Sequence, residues 1–168
     1  YIQQKKYNKA IQMLEYKKNK KIVDNNSLQE TKARVKDNLG YAYFKNGMNE
    51  KGFSLMTEAL HRRNEIKDTY GSIESYLHLA DYYSKKDIQK SDENAFAAYS
   101  IATKLNSVDE RLEALQIIIS NNHSAHHSKY VQQFFTLNDS IIKVRNNFKN
   151  KFAKIKYDAK KEKDENVK

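Results

Sequence analysis

The 168-residue chain has no cysteine, no proline and no tryptophan, and only four glycines. The missing cysteine removes disulfides, thiolate catalysis and thiolate metal ligands together, while leaving the compartment open. The missing proline means that helices must be ended by other residues. No apolar run approaches the roughly 18 residues of a membrane span, so this piece is not itself embedded in a bilayer. There is no glycine-rich phosphate loop, no His-Glu-x-x-His pair and no nucleophile motif. A Ser-His-Asp triad built from scattered residues needs a spatial constraint that sequence does not supply. The expectation is a non-catalytic protein with no cofactor. The nearest approach to a metal site is His123, His126 and His127, in which His123 and His127 share a helical face. No carboxylate stands between Glu113 and Asp139 to complete it, so no metal is assigned.

Charge is plentiful and uneven. The net charge is +10. Lys5, Lys6, Lys9, Lys17, Lys18, Lys20 and Lys21 face only Glu15 at one end, and ten basic residues face four acids from residue 143 to the C-terminus. Residues 22–142 are nearly balanced, with 14 basic and 16 acidic side chains. A basic chain with twelve tyrosines and seven phenylalanines invites a nucleic-acid reading, with lysines on phosphates and rings stacked on bases. Against it, the lysines sit at the two ends instead of forming one stripe, and the rings fall at packing positions. A basic end beside a membrane surface is as natural.

The most informative pattern recurs forty residues apart: Leu39, Gly40 and Tyr43, answered by Leu79, Ala80 and Tyr83. Leu39 and Tyr43 share a helical face, and Gly40 lets a neighbouring helix approach closely. Gly47 can end the first helix in a positive-φ conformation. A second helix then sets Gly52, Met56 and Ala59 at steps of four and three. In the second unit Ala95, Tyr99 and Ala102 take this part, about three residues late, which is assigned to a longer turn over residues 85–90. Helical hairpins of this kind cannot bury their apolar faces alone and must stack.

Leu-Gly-x-x-Tyr, a turn glycine and Gly-x-x-x-Met-x-x-Ala resemble the tetratricopeptide repeat, a helix-turn-helix unit of about 34 residues. Asn64 stands where that family usually has proline. The resemblance implies an all-α fold, an antiparallel helical-hairpin solenoid with a long C-terminal helix. Residues 1–27 read as a partial repeat, with Tyr7, Ala10 and Leu14 on its second helix. Full repeats follow at 32–65 and 69–107, and a degenerate one at 108–138. The start at Tyr1 reads as an excised domain. Within 139–168, Ile141, Val144, Phe148, Phe152, Ile155 and Ala159 make a narrow stripe on one helix, expected to cap the array or to begin a coiled coil that pairs two copies.

Leu137-Asn-Asp-Ser-Ile141 followed by Lys151-Phe-Ala-Lys-Ile-Lys-Tyr157 resembles the end of the sensor region in bacterial membrane-anchored tetratricopeptide signalling proteins, whose output is a histidine kinase or a helix-turn-helix domain. That resemblance implies a periplasmic input domain that binds a protein or peptide. A cytoplasmic adaptor is the alternative, and an RNA-binding helical-repeat protein the third reading. By the same resemblance, binding uses the face lined by the first helix of each repeat. Opposite Leu39 and Tyr43 that phase presents Arg34, Asn38, Tyr41 and Lys45, and in the second unit Glu74, His78, Asp81 and Lys85. An aromatic with amide and cationic groups suits an extended peptide, through backbone hydrogen bonds and a carboxylate contact. Plain solvated faces are the simpler reading of the same charges.

Overall fold

A computed structural model describes residues 2–19, 26–122 and 127–165. All of the regular structure among these residues is α-helical: α1 (Ile2–Asn19), α2 (Asn26–Lys45), α3 (Asn49–Glu65), α4 (Thr69–Tyr83), α5 (Ile88–Lys104), α6 (Val108–Asn121) and α7 (His127–Glu165).

The helix ends are set by local chemistry that repeats. Asp68 and Asp87 cap α4 and α5, their carboxylates accepting from the Gly71 and Lys90 N–H groups at 2.8 and 3.1 Å. In place of proline, α2, α3 and α5 are each stopped by one residue with positive φ: Gly47 at 88°, Lys67 at 58° and Asn106 at 56°. After each, the next N–H reaches back to the final turn: Met48 to the Tyr43 carbonyl, Asp68 to Arg63 and Ser107 to Ala102, at 2.8–2.9 Å. Lys67 and Asn106 pay a steric penalty there that Gly47 avoids.

The short connections 46–48, 66–68, 84–87 and 105–107 turn each helix back on the one before it. Every helix packs on its neighbours in sequence. The backbones of even-numbered helices also come close, α2 to α4 and α4 to α6, whereas among the described residues odd-numbered helices meet through side chains such as Lys51 with Glu15 and Tyr99 with Tyr130. Where α2 crosses α3, Gly40 faces Gly52 so closely that a Cβ on Gly52 would lie 2.7 Å from the Gly40 carbonyl oxygen. Alanines keep the later helices as near: Ala59, Ala80, Ala95, Ala98, Ala102 and Ala114 are fully buried. Leu39, Tyr43, Met56 and Leu79 are buried as their spacing requires, and Tyr83 and Tyr99 half-buried against other rings.

Two expectations need correction. The long turn assigned to residues 85–90 is four residues, 84–87, because Ile88, Gln89 and Lys90 already belong to α5. The buried positions of α3 (52, 56, 59 and 63) recur in α5 thirty-nine residues on, at Ser91, Ala95, Ala98 and Ala102. Ser91, not Ala95, therefore stands in for Gly52, and its hydroxyl donates to the Ala80 carbonyl at 2.8 Å. The second correction concerns residues 139–168. α7 runs unbroken through position 138, and its N-terminal part packs on α5 and α6 through Tyr130 and on α6 through the Arg145–Asp109 pair at 2.8 Å. Residues 142–160 are exposed, so the stripe itself caps nothing.

Candidate functional site

The row of α2, α4 and α6 bounds a groove with two lobes of about 460 and 350 Å³, which share Leu77, His78 and Glu113. Six of the eight residues assigned to this face line it. Arg34 and Glu74 border the first lobe, Tyr41, Lys45 and Asp81 the second, and His78 both. Asn38 is half-buried and Lys85 exposed, and neither borders a lobe.

The two assigned sets are joined to each other. The Tyr41 ring stacks on His78 with centroids 3.9 Å apart and planes 10° apart. The Tyr41 hydroxyl donates to Asp81 Oδ2 at 2.8 Å, and Lys45 Nζ donates to the same oxygen at 2.9 Å. Loss of water around the phenol, then the charge and hydrogen bond of Asp81, push the Tyr41 pKa far above its ordinary value, so the hydroxyl stays a donor. Tyr70 and Glu110 repeat the arrangement one unit on, with the hydroxyl donating at 2.7 Å across forty residues.

Beneath the groove lies a buried ion pair that periodicity did not reveal. Arg63 is 1% exposed and Asp37 not at all, and Arg63 Nη1 donates to Asp37 Oδ2 at 2.9 Å and to Ser75 Oγ at 2.8 Å. The same guanidinium reaches the Gly71 carbonyl, and His78 Nδ1 lies 3.3 Å from Asp37 Oδ2. The network ties α2, α3 and α4 together directly under the Tyr41–His78 stack. An Arg and an Asp at 63 and 37 look like surface residues in a charged helix, and only a hydrophobic position filled by Arg in the α3 stripe hinted otherwise.

α6 supplies the groove's third wall with Glu110, Glu113 and Gln116, none of which was assigned to it. The signal was available: Glu113 follows Glu74 by the same thirty-nine residues that relate α3 to α5. With these included, the lining carries six carboxylates, Glu30, Asp68, Glu74, Asp81, Glu110 and Glu113, against Arg34, Lys45 and Arg63. Arg63 is neutralised by Asp37 and Lys45 by Asp81, so the groove is acidic on a basic protein. Desolvation raises the Glu113 carboxyl above the ordinary range, opposed by His78 and reinforced by Glu110, Glu74 and Asp81. Glu110 is lowered, first by the Ser107 hydroxyl and then by that of Tyr70.

Among the described residues no three His, Cys, Asp or Glu side chains are placed to hold a metal ion. His123 and His126 lie outside those residues. No described helix is long and apolar enough to cross a membrane. No protein-family model, no curated protein and no solved structure matches the chain.

Proposed function

We propose that this chain is a tetratricopeptide-like helical-hairpin solenoid that acts without catalysis, holding a segment of another protein in the groove of α2, α4 and α6. The observation that carries the reading is the continuous groove on the face shared by the even-numbered helices, lined by aromatic, amide and charged groups. Its charge sets the ligand class. Lys45 is occupied by Asp81, so among the described lining residues Arg34 is the one cation outside an ion pair for a ligand carboxylate, whereas Glu110, Glu113 and Glu74, the last beside its 3.5 Å contact with Arg63, offer acceptors to lysine or arginine side chains. The preferred ligand is an extended segment bearing spaced cations. The resemblance of residues 137–157 favours a periplasmic input domain of a membrane-anchored signalling protein over a cytoplasmic adaptor, and the length of α7 beyond the packed helices suits a connection to another part of such a protein.

The reading is tested by calorimetric titration with oligolysine and oligoglutamate peptides of equal length. Oligolysine should bind, although the whole protein is positively charged, and Glu74→Gln with Glu113→Gln should weaken it. Tighter binding of oligoglutamate, or loss of oligolysine binding on changing residues outside the groove only, would remove the reading.

A further inference from the structure

Apart from Arg145, which pairs with Asp109 of α6, residues 142–160 of α7 stand exposed, with Val144, Phe148, Phe152 and Ile155 uncovered by 52%, 67%, 70% and 56%. A contiguous apolar strip of this kind marks a surface that another body covers. Two features identify the body.

The first is the pitch of the strip. From Ile141 through Val144, Phe148, Phe152 and Ile155 to Ala159, five steps span eighteen residues, 3.6 per step. That is the period of an undistorted α-helix, so the strip runs straight along one side. A two-stranded coiled coil needs a period of about 3.5 to keep its seam on the partner as the helices wind. A straight strip fits a flat surface.

The second is the charge beside it. Arg145, Lys149 and Lys156 border the strip on one side, Lys151 and Lys154 on the other, while Asn146 and Asn150 lie opposite. Asp158 is the one acid between residues 142 and 160. Two copies laid strip to strip would set lysine rows against lysine rows in either direction. The rows carry no alternation of sign by which to select one partner helix, and they complement any surface that is uniformly negative. Lysines flanking an apolar strip keep their heads in the headgroup layer while their stems cover the strip's edges.

We propose that residues 141–160 of α7 form an interfacial helix that lies flat on an anionic lipid bilayer. Phe148, Phe152 and Ile155 enter the boundary between headgroups and acyl chains, and the lysines on both flanks meet lipid phosphates. The segment is about 30 Å long and lies parallel to the bilayer plane, which requires no apolar span. The inference stands on α7 alone and does not depend on what the groove holds.

The test is flotation of the full chain with vesicles of phosphatidylcholine containing about 30% phosphatidylglycerol, beside vesicles of phosphatidylcholine alone. Binding should be confined to the anionic vesicles, fall with added salt, and weaken at least about tenfold in a Phe148→Ser, Phe152→Ser double variant. Both rings are exposed, so the variant keeps its helix content and melting midpoint, and circular dichroism checks this. Absence of binding to anionic vesicles would overturn the proposal. Binding that the double variant leaves unchanged would also overturn it, since lysines alone, those of α1 included, would then account for adsorption. A lipid-free dimer in sedimentation, abolished by the same two substitutions, would assign the strip to a second copy instead.

Discussion

Asp37→Ala is the perturbation for which the structure gives the sharpest expectation. Asp37 is wholly buried, and it is the partner of Arg63, itself 1% exposed. Removing the carboxylate leaves a guanidinium in the interior with Ser75, the Gly71 carbonyl and the more distant Glu74 and Asp68 around it. Stranding a buried charge in this way costs about 3–5 kcal/mol. That is a large share of the about 5–15 kcal/mol that holds a domain of this kind together. Part of the loss falls on α2, α3 and α4 at once, because the network joins all three. The assay is urea unfolding followed by circular dichroism and by tyrosine fluorescence, whose coincidence establishes that one transition is being measured. With a slope of about 1–3 kcal/mol per molar, the midpoint should fall by at least about 1 M. Replacing both partners with apolar residues, Asp37→Leu with Arg63→Met, removes the charge with its counterion and should restore most of the lost stability. A single-variant cost below about 1 kcal/mol, or a double variant no better than Asp37→Ala, would refute the reasoning.

Four further outcomes follow from the packing and electrostatics. Gly52→Ala brings a Cβ to 2.7 Å from the Gly40 carbonyl and the Phe44 amide, so it should destabilise by about 1–3 kcal/mol despite a better helix propensity. Gly47→Ala meets no neighbour within 4 Å yet sits at φ +88°, so its cost, about 1–2 kcal/mol in thermal or urea melts, comes from the backbone alone. For Glu113, whose folded-state pKa is raised, the native chain holds the proton more tightly than the unfolded one; its contribution to stability therefore declines as pH climbs from the ordinary glutamate range through the raised value. Glu113→Gln should accordingly gain on the parent as pH rises above the ordinary glutamate range, and urea midpoints that separate in the opposite sense would contradict this. A cationic ligand in the groove should draw that pKa back down, so binding should release protons and weaken at low pH, which calorimetry in buffers of different ionisation enthalpy reads directly.

The helices and most of their faces were legible because local rules act on neighbouring residues. Leu39 and Tyr43 fall four apart on α2 and are buried, and Gly40 meets Gly52 as its lack of a side chain invites. Asn121 and Asn122 mark the end of α6, where Asn122 takes a left-handed φ of 49°. The α5 register was misread because serine, a small residue with a hydroxyl, does the work of glycine at position 91, and alanine is so frequent in α5 that several alignments fit. Of the eight residues read from helical phase, six line the groove. What phase does not carry is pairing: Tyr41 and Lys45 converge on Asp81 only because α2 and α4 touch across a whole repeat. Arg63 escaped notice for the same reason, since a charge becomes a core residue only when a distant partner, here Asp37, comes to meet it.

The charge of the groove is the quantity on which the proposed function turns, and a peptide titration measures it most directly. Oligolysine titrated into the parent and into the Glu74→Gln, Glu113→Gln variant should bind the parent saturably, with the variant weaker by about tenfold or more, as expected for two lost charge-assisted contacts. Equal affinities for the two proteins, or a preference of the parent for oligoglutamate, would contradict an acidic groove that receives a cationic segment.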